Sequence, residues 1–355
     1  MLRPAGEGDR PFLSVVMPVY NAEPWVGEAI ASILAQTHSR FEFIILDDGS
    51  TDGSAAVVRD FAARDERIRF LPLPHRGQAE ALNVGVDLAR GRFVAHMDDD
   101  DVALPERFAV QLAWMNETGV DVCGGILSRF GDRQDILWFP ERHEAIRHEL
   151  LFRIGLHHGT SMVRADVAKA FPFNGKALHT DYEMLTRLAL RHRLGNVPRV
   201  LLRHRCHALQ AHVVHRSAFR DDINAFRRPY FHALFPEATA EDYTSLARIA
   251  ERQACSDVAE LARGGLWLAR LARTPDAVLR RRMAHRWRTA CWRSARLGGE
   301  VYRLYRRVAP ELGPTPAAEA WALKVACALR LEPDARRDAF LRRVRRAARS
   351  VFQAS

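Results

Sequence analysis

The sequence predicts an α/β fold, a mostly parallel sheet sandwiched by helices, followed by an all-α, arginine-rich C-terminal region. Three observations carry this. Over the first hundred residues, short β-rich apolar runs alternate with amphipathic helical patterns, the rhythm of βαβ units. Beyond about His215 the strand signal gives way to long Arg/Ala/Leu helical patterns. Charge divides at the same place: the chain is +10 overall, but residues 216–355 are net +13 and the first 215 are net −3.

The elements follow in order. Phe12 to Tyr20 is a continuous apolar run of the kind buried on both faces of a parallel sheet. Asn21 is placed to cap a helix from about Glu23 to Ala35, whose Trp25, Ala29, Ile30 and Ile33 fall on one stripe. Phe41 to Leu46 is a second strand, ending at Asp47-Asp48-Gly49-Ser50, after which Thr51 to Ser54 opens a helix reaching about Ala63. A short strand at Ile68–Leu71 precedes a helix from Gly77 to Ala89. Arg92 to Met97 is a strand that stops against Asp98 to Asp101, and Pro105 suits the first turn of the next helix. Strands near Val120–Ser128 and Ile136–Phe139, helices at Arg142–Phe152 and Asp181–Arg191, and a loop at His157–Ser161 complete this part. Pro275, Pro310–Pro316 and Pro333 divide the C-terminal helices.

Several classes are set aside. No run approaches the ~20 apolar residues of a membrane span, and the polar stretch Met1–Arg10 does not read as a secretory signal. Five scattered cysteines without a CxxC pair fit free thiols in a reducing cytosol better than a disulfide framework or a zinc site. All but three of the basic residues are arginine.

In parallel sheets ligands bind beyond the carboxyl ends of the strands, and both acidic clusters sit there. Four adjacent carboxylates, Asp98 to Asp101, repel one another, and a hard divalent cation would resolve the repulsion. Alone, the run also reads as a solvated acidic turn before a helix N-terminus. At the previous strand end, Asp48 can accept a hydrogen bond from a nucleobase ring N–H, with Tyr20 over the same base; alone, Asp47–Ser50 also reads as an Asx-type turn.

The combination of Val15-Val16-Met17-Pro18-Val19-Tyr20-Asn21, Asp47 to Asp52, Gly77 to Gly85 and Asp98 to Asp101 resembles family 2 of the inverting, nucleotide-sugar-dependent glycosyltransferases. The resemblance covers roughly residues 12–215 and is most specific up to about residue 120. It implies a GT-A (Rossmann-like) domain at 12–215, with a nucleotide-sugar half to about 120 and an acceptor half from 121. A tail at 1–11 and a helical basic domain at 216–355 flank it. The nucleotide-binding residues it implies are Asp48 for the base, usually uracil, with Tyr20 near the ring and Pro18 at the bordering strand end. Asn83 and Arg76 fall where the family approaches the nucleotide. Asp98 and Asp100 match an Asp-x-Asp motif holding the ribose and a Mn²⁺ or Mg²⁺ that bridges the diphosphate. Within a run of four its register leaves Asp99 a candidate.

His179-Thr180-Asp181-Tyr182 resembles the family's Glu-Asp-Tyr segment, whose aspartate is the general base, with Thr180 in place of the glutamate. Read alone, Asp181 is also a plausible helix cap. Arg203 to Gln210 resembles a basic segment after the last core strand, in which His207, or else His204, approaches the metal or diphosphate. His157 to Ser161 lies where the family lines the acceptor site; a paired-histidine metal site is the alternative.

The implied activity is metal-dependent transfer of a sugar, UDP-linked, to a saccharide or lipid-linked acceptor in bacterial cell-surface polysaccharide synthesis. Transfer to a polyprenyl phosphate, or a silent sugar-nucleotide-binding scaffold, are the competing readings. The arginine clusters Arg280–Arg282, Arg306-Arg307, Arg336-Arg337 and Arg342–Arg346, with Trp287, Trp292 and Trp321, suit peripheral contact with an anionic membrane on the cytoplasmic side. A solvated helical accessory domain explains them equally, and no nucleic-acid-reading motif accompanies them.

Overall fold

A computed structural model of the chain describes residues 12–207, 216–313 and 316–332, with backbone alone at 216–221. The expected tail at 1–11, His215, Pro333 and the arginine clusters from Arg336 onward lie outside the described residues. The chain divides into two compact units between Tyr230 and Phe231.

The first unit is built on a nine-stranded mixed sheet. Its parallel half comprises β1 (Leu13–Val19), β2 (Phe41–Asp47), β3 (Ile68–Pro72) and β4 (Phe93–His96), in the spatial order β3-β2-β1-β4. Every residue of β1 and β2 is buried, as expected of strands covered on both faces. Helices α1 (Val26–Leu34), α2 (Ser54–Ala62) and α3 (Gln78–Leu88) make the crossovers. α1 turns Val26, Ala29, Ile30 and Ile33 into the core, with Val26, Ile30 and Ile33 each contributing about 1.5–3 kcal/mol by leaving water. α3 lies so close to β1 that a β-carbon on Gly85 would collide with Val16.

The register aligns the strand ends. Val19 pairs with Asp47, and Val16 pairs with His96, so the segments after β1, β2 and β4 emerge together at one edge. That edge carries both acidic clusters.

Asn21 does not cap α1, which begins only at Val26 and has no side-chain cap. Instead Asn21 adopts a left-handed φ of 50°, tolerable for asparagine, and its Oδ1 accepts the Thr51 N–H at 2.8 Å. It staples the end of β1 to the loop after β2.

The other half of the sheet contains β5 (Val102–Ala103), β6 (Val122–Gly131), β7 (Ile136–Leu137), β8 (Met162–Arg164) and β9 (Leu194–Cys206). β8 runs antiparallel between β4 and β6, and β9 lies parallel to β6. The basic segment Arg203–Cys206 therefore belongs to the last strand itself and does not follow it. Helices α4 (Arg107–Thr118), α5 (His143–Leu150), α6 (Ala165–Ala170) and α7 (Thr180–Ala189) complete the unit, before a helix at Arg216–Leu234.

The second unit, as described, is helical: Ala240–Ala250, Val258–Leu271, Ala277–Arg293, Gly299–Leu312 and Ala317–Ala328. Pro310 does not end a helix; it sits in the last turn of one that stops at Leu312. Trp287, expected at a membrane surface, is 1% exposed, and its ring fills the space beside Gly265. It is core. Trp321 is 53% exposed, and Arg280, Arg281, Arg306 and Arg307 face solvent. No described helix is long and apolar enough to cross a membrane.

Candidate active site

A cleft of about 800 Å³ opens at the carboxyl edge of the parallel strands. Its walls include Pro18 near the end of β1 and Tyr20 after it, Asp48 after β2, Asp98 to Asp100 after β4, Asp181 at the start of α7, and His207 just past β9. The structure thus brings together eight of the ten expected site residues. Asn83 and Arg76 do not line the cleft. The Asn83 side chain exchanges two hydrogen bonds with the Phe173 backbone, at 2.8 and 3.0 Å, and so ties α3 to the loop before α7. Arg76 contributes only its backbone N–H, with its side chain in solvent.

Asp48 is a buried clamp. Its Oδ1 accepts the Arg76 N–H at 2.8 Å and its Oδ2 the Gly77 N–H at 2.9 Å. A carboxylate offers about four lone-pair sites, so capacity remains for a ligand N–H. His75, which the sequence reading passed over, lies with Nδ1 2.9 Å from Asp48 Oδ2 and stacks on Tyr20 with centroids 4.3 Å apart. The exposed faces of this pair make an aromatic rim. No local sequence signal announces it, because the two rings, after β1 and after β3, are brought together only through the β1–β2 and β2–β3 registers.

The four aspartates separate into different environments. Asp101 is fully buried and held by β9: its carboxylate accepts His204 Nδ1–H at 3.0 Å and the Arg205 N–H at 2.9 Å. Burial, outweighed by this bond to Asp101, leaves the His204 imidazole above its ordinary pKa. Asp99 accepts the Tyr20 N–H at 3.0 Å, and burial together with Asp100 pushes its carboxyl up to about 7. Asp98 is raised well above the carboxylate range by burial and by the charges of Asp101, Asp100 and Asp99. Asp100 meets His207 Nε2 at 3.0 Å, and Trp25 stacks on the His207 ring at 4.0 Å. Beneath the run lies the buried guanidinium of Arg107, donating to the His96 carbonyl at 2.7 Å, its pKa lowered by burial to about 10.

Asp181 occupies the first turn of α7, where His179 and not Asp181 is the capping position. Its Oδ1 accepts the Tyr182 N–H at 2.7 Å and faces His179 Nδ1 at 3.7 Å. Burial would raise this carboxyl, but His179 and the Tyr182 N–H outweigh it and hold the group below its ordinary range. An ionised carboxylate in a cleft is what a base requires.

The histidine pair diverges. His157 Nδ1 accepts the Gly159 N–H and its ring meets His204 edge-on, whereas the His158 ring packs on His96. Burial keeps both imidazoles well toward the neutral form. Among the described residues no three His, Cys, Asp or Glu side chains are grouped to hold a metal ion. Asp100 Oδ2 and His207 Nε2, 3.0 Å apart, are nonetheless spaced like adjacent corners of an octahedron with bonds of about 2.1 Å. Two protein donors suit a hard cation that takes its other ligands from phosphate and water.

An acidic cleft at the carboxyl edge of a parallel sheet, extended by a mixed half, defines the GT-A class of nucleotide-sugar folds. Residues 14–171 match the profile of Glycosyl transferase family 2, and the chain belongs to that family. An uncharacterized glycosyltransferase of Methanocaldococcus jannaschii, MJ1057, is 30% identical over 210 residues, covering 56% of this chain and 72% of that protein. An uncharacterized glycosyltransferase of Rickettsia felis is 41% identical over 105 residues, 30% of this chain, which spans only 17% of that longer protein. The putative teichuronic acid biosynthesis glycosyltransferase TuaG of Bacillus subtilis is 38% identical over 109 residues, 30% of this chain and 43% of that one. Among solved structures, S. aureus TarS 1–349 in complex with UDP-GlcNAc aligns with TM-score 0.53 at 15% identity, covering 88% and 90% of the two chains. The mannosyltransferase PcManGT of Pyrobaculum calidifontis, with GDP-Man and Mn²⁺, aligns with TM-score 0.50 at 18% identity, covering 90% and 87%. These structures share the fold.

Proposed function

We propose that the chain is a metal-dependent inverting glycosyltransferase that moves a sugar from a UDP-linked donor to a saccharide or lipid-linked acceptor in bacterial cell-surface polysaccharide synthesis. The observation that carries this reading is the convergence of Asp48, Asp98, Asp100, Asp181 and His207, spread over 160 positions, on one cleft. The donor complexes of TarS and PcManGT and the naming of TuaG support it.

Asp48 binds the base between Pro18 and the Tyr20–His75 rim. Asp98 and Asp99 face the ribose and diphosphate, and Asp100 with His207 would hold Mn²⁺ or Mg²⁺. The bound cation supplies charge neutralisation of the departing diphosphate. Asp181 takes the proton of the acceptor hydroxyl as that oxygen attacks the anomeric carbon. The bond from that carbon to the diphosphate oxygen breaks with its electron pair left on the nucleotide, and the configuration inverts. One carboxylate base suffices for such a displacement, unlike the paired carboxylates of glycoside hydrolysis. The enzyme works on the cytoplasmic face of the membrane, with the exposed arginines of the second unit toward anionic lipid.

A thermal-shift screen of UDP- and GDP-sugars with and without Mn²⁺, followed by assay of nucleotide release, tests this. At a hundredfold excess over Kd a true donor adds about 2.7 kcal/mol of stability. Absence of any metal-dependent shift across the panel overturns the reading.

A further inference from the structure

One polar side chain of the cleft has no partner inside the protein. His158 is 8% exposed and lines the cleft together with Asp98 and Asp181, yet neither of its ring nitrogens makes a hydrogen bond. Buried polar atoms are otherwise almost always satisfied, so an orphan pair on one ring calls for a ligand. Ser161 Oγ, at the end of the same turn, is committed to His96 Nδ1, 2.8 Å away.

The ring is held ready. His96 lies against one face with centroids 4.6 Å apart, and Phe173 meets it edge-on at 5.5 Å. The short 3-10 turn His158–Thr160 that carries it is anchored by Gln111 Nε2, which donates to the Thr160 carbonyl at 2.7 Å. The turn is anchored again by the Ser161 N–H, which donates to the His158 carbonyl at 2.7 Å. Burial keeps the imidazole neutral, its pKa down to about 4, so one nitrogen donates and the other accepts. Among common ligand groups, hydroxyls match such a ring, because each can give and take a hydrogen bond.

We propose that His158 is a specificity-determining residue that hydrogen-bonds a sugar hydroxyl in the cleft, its fixed, partnerless ring being the recognition element. The inference rests on the glycosyl-transfer reading. The hydroxyl belongs either to the transferred sugar or to the acceptor saccharide, and kinetics separate the two.

The test compares wild type with His158→Phe and His158→Gln, using UDP-GlcNAc, UDP-glucose and UDP-galactose with a panel of p-nitrophenyl glycoside acceptors. His158→Phe should melt at or above the wild-type temperature, since it removes unsatisfied polar atoms, and should bind UDP with Mn²⁺ unchanged. Its KM for one sugar substrate should rise at least tenfold, and His158→Gln should recover to within about threefold. A rise confined to the nucleotide-sugar, with slower release of UDP to water, assigns the hydroxyl to the donor. A rise confined to the glycoside, with release to water unchanged, assigns it to the acceptor. Wild-type constants in His158→Phe overturn the proposal, as does a parallel loss of melting temperature and UDP affinity. Wild type that transfers no sugar overturns the glycosyl-transfer reading instead, and this proposal with it.

Discussion

A β-carbon on Gly159 would lie 2.5 Å from Oδ2 of Asp98, so the turn after His158 presses its bare backbone against the acidic run. Gly159→Ala must displace either the turn or the carboxylate. Overpacking of this kind costs about 1–3 kcal/mol. Mn²⁺-dependent UDP binding, measured by calorimetry, should therefore weaken roughly tenfold.

Asp100→Ala removes the carboxylate that meets His207. Calorimetry should find Mn²⁺-dependent donor binding abolished, and an unchanged affinity would remove Asp100 from the metal role. His207→Ala should weaken the same metal dependence, and Trp25→Ala, which frees the His207 ring from its stack, should do so to a lesser degree.

Asp181→Asn should keep donor affinity and lose on the order of 10²–10⁴ in kcat, the size of a general-base contribution. A loss under tenfold places the base elsewhere.

The pH profile checks the same group independently. With its folded pKa below the ordinary 3.8, Asp181 stays ionised through the neutral range, and only below its depressed pKa does protonation remove the base. The acid limb of kcat/KM, which reports the free enzyme, should therefore carry no inflection from Asp181 above about pH 5. An inflection near pH 6 that vanishes in Asp181→Asn would contradict the depressed value.

Glu42, buried in β2, accepts from Ser14 Oγ at 2.7 Å, from Arg69 at 2.7 Å and from the Arg90 N–H at 2.8 Å. Burial would raise its pKa, but these bonds together hold it below 4.5. A depressed carboxyl stabilises the fold above its unfolded pKa, and that contribution is lost as pH falls through the folded value. Glu42→Gln should lower stability at pH 7 by about 1–3 kcal/mol in denaturant titration, with the difference from wild type shrinking below pH 4.

The parallel half of the sheet was legible because each strand is a run buried on both faces, and each acidic cluster marks where such a run stops. β9 was hidden. Pro198 and Arg199 interrupt its apolar pattern, and its register against β6 shifts around Ile126, so a thirteen-residue strand leaves only a basic segment from Arg203 to be read. Asp48, Asp98 and Asp181 could be named from motifs, but His75 and Trp25 could not. Their importance comes from rings 55 and 182 positions away, at Tyr20 and His207, which only the folded sheet brings near. Asn83 misled for the converse reason: its place beside the Gly77–Gly85 pattern said nothing of the Phe173 backbone that occupies it.

The grip of Asp48 on the amides of Arg76 and Gly77 has a bearing on how this cleft can be re-engineered. Peptide amides are common to almost every amino acid, so the hinge between floor and rim is indifferent to what is grafted at position 76. A library randomised there would vary a solvent-exposed side chain beside the cleft while leaving the clamp undisturbed, which makes position 76 a natural place to attach a probe or tether.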